Sequence, residues 1–200
     1  MMETRGRFPI GRMLFEVVLI LLGVFLGLFV NEKRIEQREK ARAEESLTLI
    51  RAEMEFNKGQ IDAIAPHHAV VRDSLHALLT RMDGSEKPVS LGVLWTAIPG
   101  GFGVPELQRH AWDLATRLGT LEHLDYRTLL RLSLTYELQE FYTRKYDRLA
   151  DNLYLASNAD PSSRNGLVLA LSLLAGDVVI HEEDLAEAYG KAIEHLDEMR

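Results

Sequence analysis

The residues from Met13 to Val30, MLFEVVLILLGVFLGLFV, constrain this chain more than any other stretch, because among eighteen consecutive side chains only Glu16 is charged. At about 1.5 Å of rise per residue such a helix is roughly 27 Å long, close to the hydrocarbon thickness of a bilayer. The segment therefore predicts a membrane-spanning helix. A cleaved signal peptide is the rival reading, and it requires small residues at the two key positions before the cut. Leu28 and Val30 stand there instead, so an uncleaved anchor fits better than a signal peptide, and a buried core helix fits least.

Within the anchor, Glu16 lies about one turn from the start, where a carboxylate reaches the interface or protonates, or else pairs with a partner. Gly23 and Gly27 form a GxxxG spacing that removes two side chains from one helix face and lets a second helix approach closely. Glu16, Gly23 and Gly27 are thus the candidate contact residues of the membrane segment, and the assembly they would support is a parallel homodimer.

Around the anchor the chain divides into a short basic tail (1–12), the spanning helix (13–30), a charged helical stalk (31–46) and one domain (47–200). The net charge of −7 falls almost wholly on the domain, which makes it a poor nucleic-acid binder, since phosphate recognition needs clustered cations. Cysteine is absent, which excludes disulfides, thiolate metal sites and a cysteine nucleophile. The stalk, NEKRIEQREKARAEE, is rich in strong helix formers with Ile35 as its only bulky apolar residue, and reads as a solvated continuation of the anchor.

From Leu47 the pattern gains a buried side. Leu47, Ile50, Met54, Ile61 and Ile64 fall on heptad a and d positions with Asn57 as the polar exception, which predicts an intramolecular core helix rather than an intermolecular coiled coil. Pro66 then predicts the start of a second helix, antiparallel to the first, with Val71, Leu75, Leu78 and Met82 inward and Gly84 as its end. His67, His68 and His76 lie along it. Their spacing is not the i,i+4 of helical zinc ligands, so they read as surface histidines.

The run from 84 to 105 is irregular, with SLGVLWTAI as a short helix and PGGFGVP as a loop that has neither the GK[ST] ending nor the preceding strand of a phosphate loop. Trp95 and Phe102 beside this loop, together with Trp112, are the candidate partner or ligand surface, with core packing as the alternative. Leu107, Ala111, Leu114 and Leu118 predict one face of a helix ending at Gly119. Asp125 predicts the cap of a long helix facing inward through Leu134, Leu138, Tyr142, Tyr146, Leu149 and Leu153. Asp160-Pro161 signals a further helix start, with Leu167 to Ala175 as a core segment interrupted by Asp177. A last helix is expected to face inward through Leu185, Tyr189, Ile193 and Leu196, with Glu182, Glu183 and Asp184 at its positive end. Arg109, His110, Asp113 and Glu122 make a polar group without a nucleophile and matched base. No catalytic, cofactor-binding or metal-ligating residue is assigned.

The run AWDLATRLGTLEHLDYRTLLRLSLTYELQEFY, with Trp112, Gly119, Asp125, Tyr126 and Tyr136, resembles a segment of uncharacterised bacterial single-pass membrane proteins filed as domains of unknown function. Those proteins open with a Glu, an apolar run, a Gly, a second apolar run, then Asn and a charged helix, similar to Glu16 through Gly23 to Asn31-Glu32 here. The resemblance implies an N-terminal anchor with a helical domain on the outer side and brings no activity with it. Lysines and arginines flank the anchor on both sides, so their count alone does not orient it. With the resemblance, the expected placement is the bacterial inner membrane, N-terminus cytoplasmic and domain extracytoplasmic.

The expected architecture is all-α: a transmembrane helix continuing into an antiparallel bundle of five to seven helices. The expected function is non-enzymatic, an envelope protein acting as an interaction or scaffolding module on an unidentified protein partner or a second copy. An extracytoplasmic small-molecule sensor signalling through a partner is the alternative, and a His- and acid-dependent metalloenzyme built on His68 and His76 is the third.

Overall fold

The computed structural model describes residues 10–82 and 87–199. Among them are five helices and no strand: α1 (Ile10–Met82), α2 (Leu91–Thr96), α3 (His110–Arg117), α4 (Tyr126–Asn158) and α5 (Pro161–Glu198). The all-α class predicted from the helical spacing is what forms. The chain separates into two compact units, residues 1–45 and 46–200, and α1 contributes to both.

In the first unit, Met13 to Val30 is helical throughout and exposes every side chain except those of glycine to the surroundings. It is long and apolar enough to cross a membrane, with none of it buried. A Cβ added at Gly23 or Gly27 would meet no atom within 4 Å, so that face is open. The stalk is stabilised locally. Lys40 and Lys33 both reach Glu36 at 2.9 Å, and these two ammonium groups hold its carboxyl down to about 2. Residues 1–9 of the basic tail lie outside the described residues; residues 10–12 belong to α1.

The second unit is built on the later part of α1 with α4 and α5, and hydrogen bonds and one ring contact fix their directions. Glu53 meets Tyr136, Asn57 meets Gln139 and His68 meets Tyr146, so α1 and α4 advance in the same sense. Arg51 meets Asp197 and His68 meets Glu182, while Thr128, Tyr142 and Lys145 of α4 meet His195, Glu182 and Asp177. Helix α5 therefore runs antiparallel to both. Ile50, Met54, Ile61, Val71 and Leu75 of α1 pack with Leu132, Tyr136 and Leu149 of α4 and Val168, Leu171, Leu185 and Tyr189 of α5. Because α1 and α4 are parallel, the chain must return between them. The returning segment carries α2, capped by Ser90, and α3, with an irregular stretch between them.

Several expectations are corrected. Pro66 does not start a helix; it lies inside α1, and no antiparallel pair forms there. A proline in a helix interior forfeits one backbone bond and costs about 3 kcal/mol. Here Ile61, His68, Val71 and Leu75, all buried on either side of an exposed Pro66, hold one face of α1 in the core. Gly84, the expected stop, lies outside the described residues. In α3 the buried residues are Trp112 and Ala115, whereas Leu114 and Leu118 are exposed, and in α4 Leu134 is exposed. Asp177 does not break α5, and one helix covers both expected segments. Glu182 to Asp184 consequently sit in mid-helix and not at its start. Asp160 occupies the N-cap position of α5 without a side-chain cap bond, whereas Asp125 accepts from the N–H groups of Arg127 and Thr128 as expected. Although α5 is also apolar enough to span a bilayer, Val168, Leu171, Ala175 and Val178 are spent on the core.

Candidate functional site

The inward line of α1 does not stay apolar. Glu53, Asn57 and His68 share it with Met54, Ile61, Val71 and Leu75, and all are buried. Facing them are Tyr136, Gln139 and Tyr142 of α4 and Glu182 and Tyr189 of α5, also buried. Removing two carboxylates, an imidazole and two amides from water is costly unless each is hydrogen-bonded. Much of what they bond to is the backbone of the irregular segment before α3.

Two clusters result. In the first, the Asn57 side chain pairs with both backbone groups of Gln108: its amide donates to the carbonyl at 2.7 Å and its oxygen accepts from the N–H at 2.7 Å. Gln139 donates to the same carbonyl at 3.0 Å and accepts from the Tyr189 hydroxyl at 2.8 Å. Glu53 accepts from the N–H of Ala111 at 2.8 Å, from that of Trp112 at 3.4 Å and from the Tyr136 hydroxyl at 2.6 Å. Arg109, the N-cap residue of α3, provides no side-chain cap bond, so Glu53 caps α3 from another helix. Trp112 stacks on Tyr136 at 4.9 Å between ring centres and closes this end. Burial, reinforced by the Glu53 carboxylate, drives the Tyr136 phenol far above its ordinary value, so it serves as a permanent donor.

The second cluster centres on His68, 2% exposed, and Glu182, 1% exposed. His68 Nδ1 meets Glu182 Oε1, while Nε2–H donates to the carbonyls of Phe102 and, at 3.4 Å, Gly103. Tyr142 donates to Glu182 Oε1 at 2.9 Å, Tyr146 donates to the Gly103 carbonyl, and His67 Nε2–H donates to the Gly101 carbonyl at 2.7 Å. Both His68 nitrogens face acceptors, an arrangement that suits the imidazolium. Desolvation opposes that charge, but the Glu182 carboxylate and the two carbonyls outweigh it, and the His68 pKa is raised. Burial and the Glu182 charge push Tyr142 far up and Tyr146 up to about 12. Among the described residues, Glu182 Oε2 is buried with no hydrogen-bond partner.

Chemically this is a buried acid–imidazole pair whose contacts are committed to holding the Gly101–Gly103 turn. Gly101 and Gly103 have φ of +80° and +65°, and the Gly103 backbone passes so close to α1 that a Cβ would lie 2.8 Å from Ile64 Cδ1. Among the described residues no three His, Asp or Glu side chains converge on a point suited to a metal. His76 is exposed, beside Arg72 and Asp73, apart from His68. Arg109 bridges Asp113 and Glu140 at 3.0 Å each on the surface, which accounts for part of the polar group noted there.

The aromatic surface expected from Trp95, Phe102 and Trp112 does not assemble. Phe102 and Trp112 are buried because their backbones are the ones that Glu53 and His68 hold against the core; Trp95 alone is open, at 46%. Glu53, His68 and Glu182 are the residues that sequence reasoning missed. A signal was present: His68 stands four residues after Ile64 and seven before Leu75, and Glu182 three before Leu185 and seven before Tyr189, each on an apolar line. No protein family, curated protein or solved structure matches this chain.

Proposed function

We propose that this protein is a membrane-anchored interaction module of the bacterial inner membrane, its N-terminus cytoplasmic and its helical domain extracytoplasmic. One observation carries the reading: Met13 to Val30 is an eighteen-residue apolar helix with no protein over it, while the second unit has a complete core of its own. Such a surface is stable only when lipid or another membrane helix covers it. Support for interaction rather than catalysis comes from the buried pair, since His68 and Glu182 are engaged by each other and by a loop they fasten. The Gly23/Gly27 spacing, which lets a second helix approach closely, supports a parallel homodimer in the membrane.

Full-length protein with a C-terminal tag is to be expressed in bacteria. The reading expects retention in the membrane pellet after alkaline carbonate, and loss of the tag when protease is added to spheroplasts but not to intact cells. Release by carbonate would remove the anchor, and protection in spheroplasts would reverse the orientation. Crosslinked dimer that persists after Gly23→Ile/Gly27→Ile would remove the glycine contact.

A further inference from the structure

The outer face of α4 carries a second apolar line that meets the core only at Leu138. Leu130, Leu134 and Phe141 are exposed on the side away from Leu132 and Tyr136, and Leu138, half-buried one turn before Tyr142, marks the edge of the core. Leu130, Leu134 and Leu138 floor a groove of about 370 Å³ between α4 and α5, rimmed by Arg127, Arg131 and Lys191. A second groove of about 480 Å³ shares Leu134 and Leu138 and continues past Glu137 and Glu140 to Phe141 and Arg144. The two make one trough along α4 from 127 to 144, roughly 26 Å at 1.5 Å per residue, the length of a partner helix of about five turns.

Charge selects the occupant. In a chain of net charge −7, three cations gather at the first end of the trough, with Glu187, 2.5 Å from Lys191, as the carboxylate beside them. At the other end Glu137 lines the groove and Glu140 lies between Arg144 at 2.6 Å and Arg109 at 3.0 Å, so two acids balance two bases and a second copy of α4 laid antiparallel would not offset the three cations. Resting on the interaction-module reading above, we infer that the α4–α5 trough docks an amphipathic helix of a partner protein. That helix has apolar residues at i, i+4, i+7 and i+11, and carboxylates over Arg127, Arg131 and Lys191.

The test uses full-length protein in neutral detergent and a synthetic twenty-residue helix with leucines at those positions and glutamate and alanine elsewhere, beside a version with lysine for glutamate. The acidic peptide is expected to bind, to weaken at least tenfold in Arg127→Glu/Lys191→Glu and in Leu134→Gln, and to weaken with salt, while the lysine peptide binds at least tenfold more weakly. Unchanged Trp112 fluorescence shows that the variants keep their fold. Equal binding of both peptides, or binding indifferent to both variants, overturns the proposal. In cells, a photocrosslinker at position 134 is compared with one at Ile180 on α5. An acidic amphipathic segment captured at 134 supports the trough. Capture of the chain's own α4 there, of lipid, or of a partner only at 180 overturns it while leaving an interaction module standing; no protein captured at either position counts against both.

Discussion

Replacing His68 with leucine tests whether the His68–Glu182 pair holds the domain together as argued. The substitution leaves Glu182 buried, among the described residues with no partner at Oε2 and Tyr142 alone donating to Oε1, and it strips the Phe102 carbonyl of its donor. Removing one member of a buried ion pair costs about 3–5 kcal/mol, a large share of the ~5–15 kcal/mol that holds a domain folded. Adding Glu182→Met removes the stranded charge and should leave only the Tyr142 hydroxyl and the Phe102 carbonyl unsatisfied, about 1–3 kcal/mol. The double variant is therefore expected to be more stable than His68→Leu alone. Guanidinium unfolding of the full chain in detergent, followed by tryptophan fluorescence with Trp95 replaced by phenylalanine so that buried Trp112 alone reports, measures both. The pH dependence is a second readout. The His68 pKa is raised in the fold above 6.5, so its stabilisation is complete below about pH 6.5 and is lost as pH rises through the folded value. The parent should lose stability over that window, and His68→Leu should lack that part of the slope. A loss under about 1 kcal/mol, a double variant weaker than the single, or a slope unchanged in His68→Leu would refute the reasoning.

Glu53→Ala should cost about 2–4 kcal/mol, since it uncaps α3 and leaves the Tyr136 hydroxyl and the N–H groups of Ala111 and Trp112 without their acceptor. The near-UV circular dichroism of the Trp112–Tyr136 stack should fall with it, and a full signal would count against capping from α1. Gly103→Ala meets both a φ of +65° and the Ile64 side chain at 2.8 Å, and is expected to cost about 2–3 kcal/mol. Gly101→Ala, with φ of +80° and open space, should cost about 1–2 kcal/mol. Equal losses at the two glycines would mean that the close approach to α1 contributes nothing.

What could be read from the sequence was whatever an apolar repeat encodes. Ile50, Met54 and Ile61 announced the inner face of α1, Asp125 the start of α4, and the glycines at 100, 101 and 103 the turn between α2 and α3. The apolar segment 13–30 stood out for the same reason, because eighteen residues without a polar side give one signal. Pro66 misled because a local breaker was weighed without the burial on both sides of it that overrides its cost. Leu114, Leu118 and Leu134 misled in the opposite way, being apolar residues that the fold leaves outside.

The candidate site was hidden by its chemistry. A glutamate or histidine at a helical position is ordinarily solvated, so Glu53, His68 and Glu182 read as surface until their partners are known. Those partners are largely backbone groups of residues 101–112, which carry no side-chain signature at all. The polar core and the irregular segment therefore explain each other. An irregular stretch can be packed against a bundle only if its N–H and C=O groups find partners, and the helices can bury charged residues only if such groups are offered. Parallel α1 and α4 make a returning segment unavoidable, and the polar residues on their inner faces are where that segment is fastened. The outer trough on α4 takes no part in this fastening: Leu130, Leu134 and Phe141 are exposed there, and that surface is where the proposed partner helix would rest.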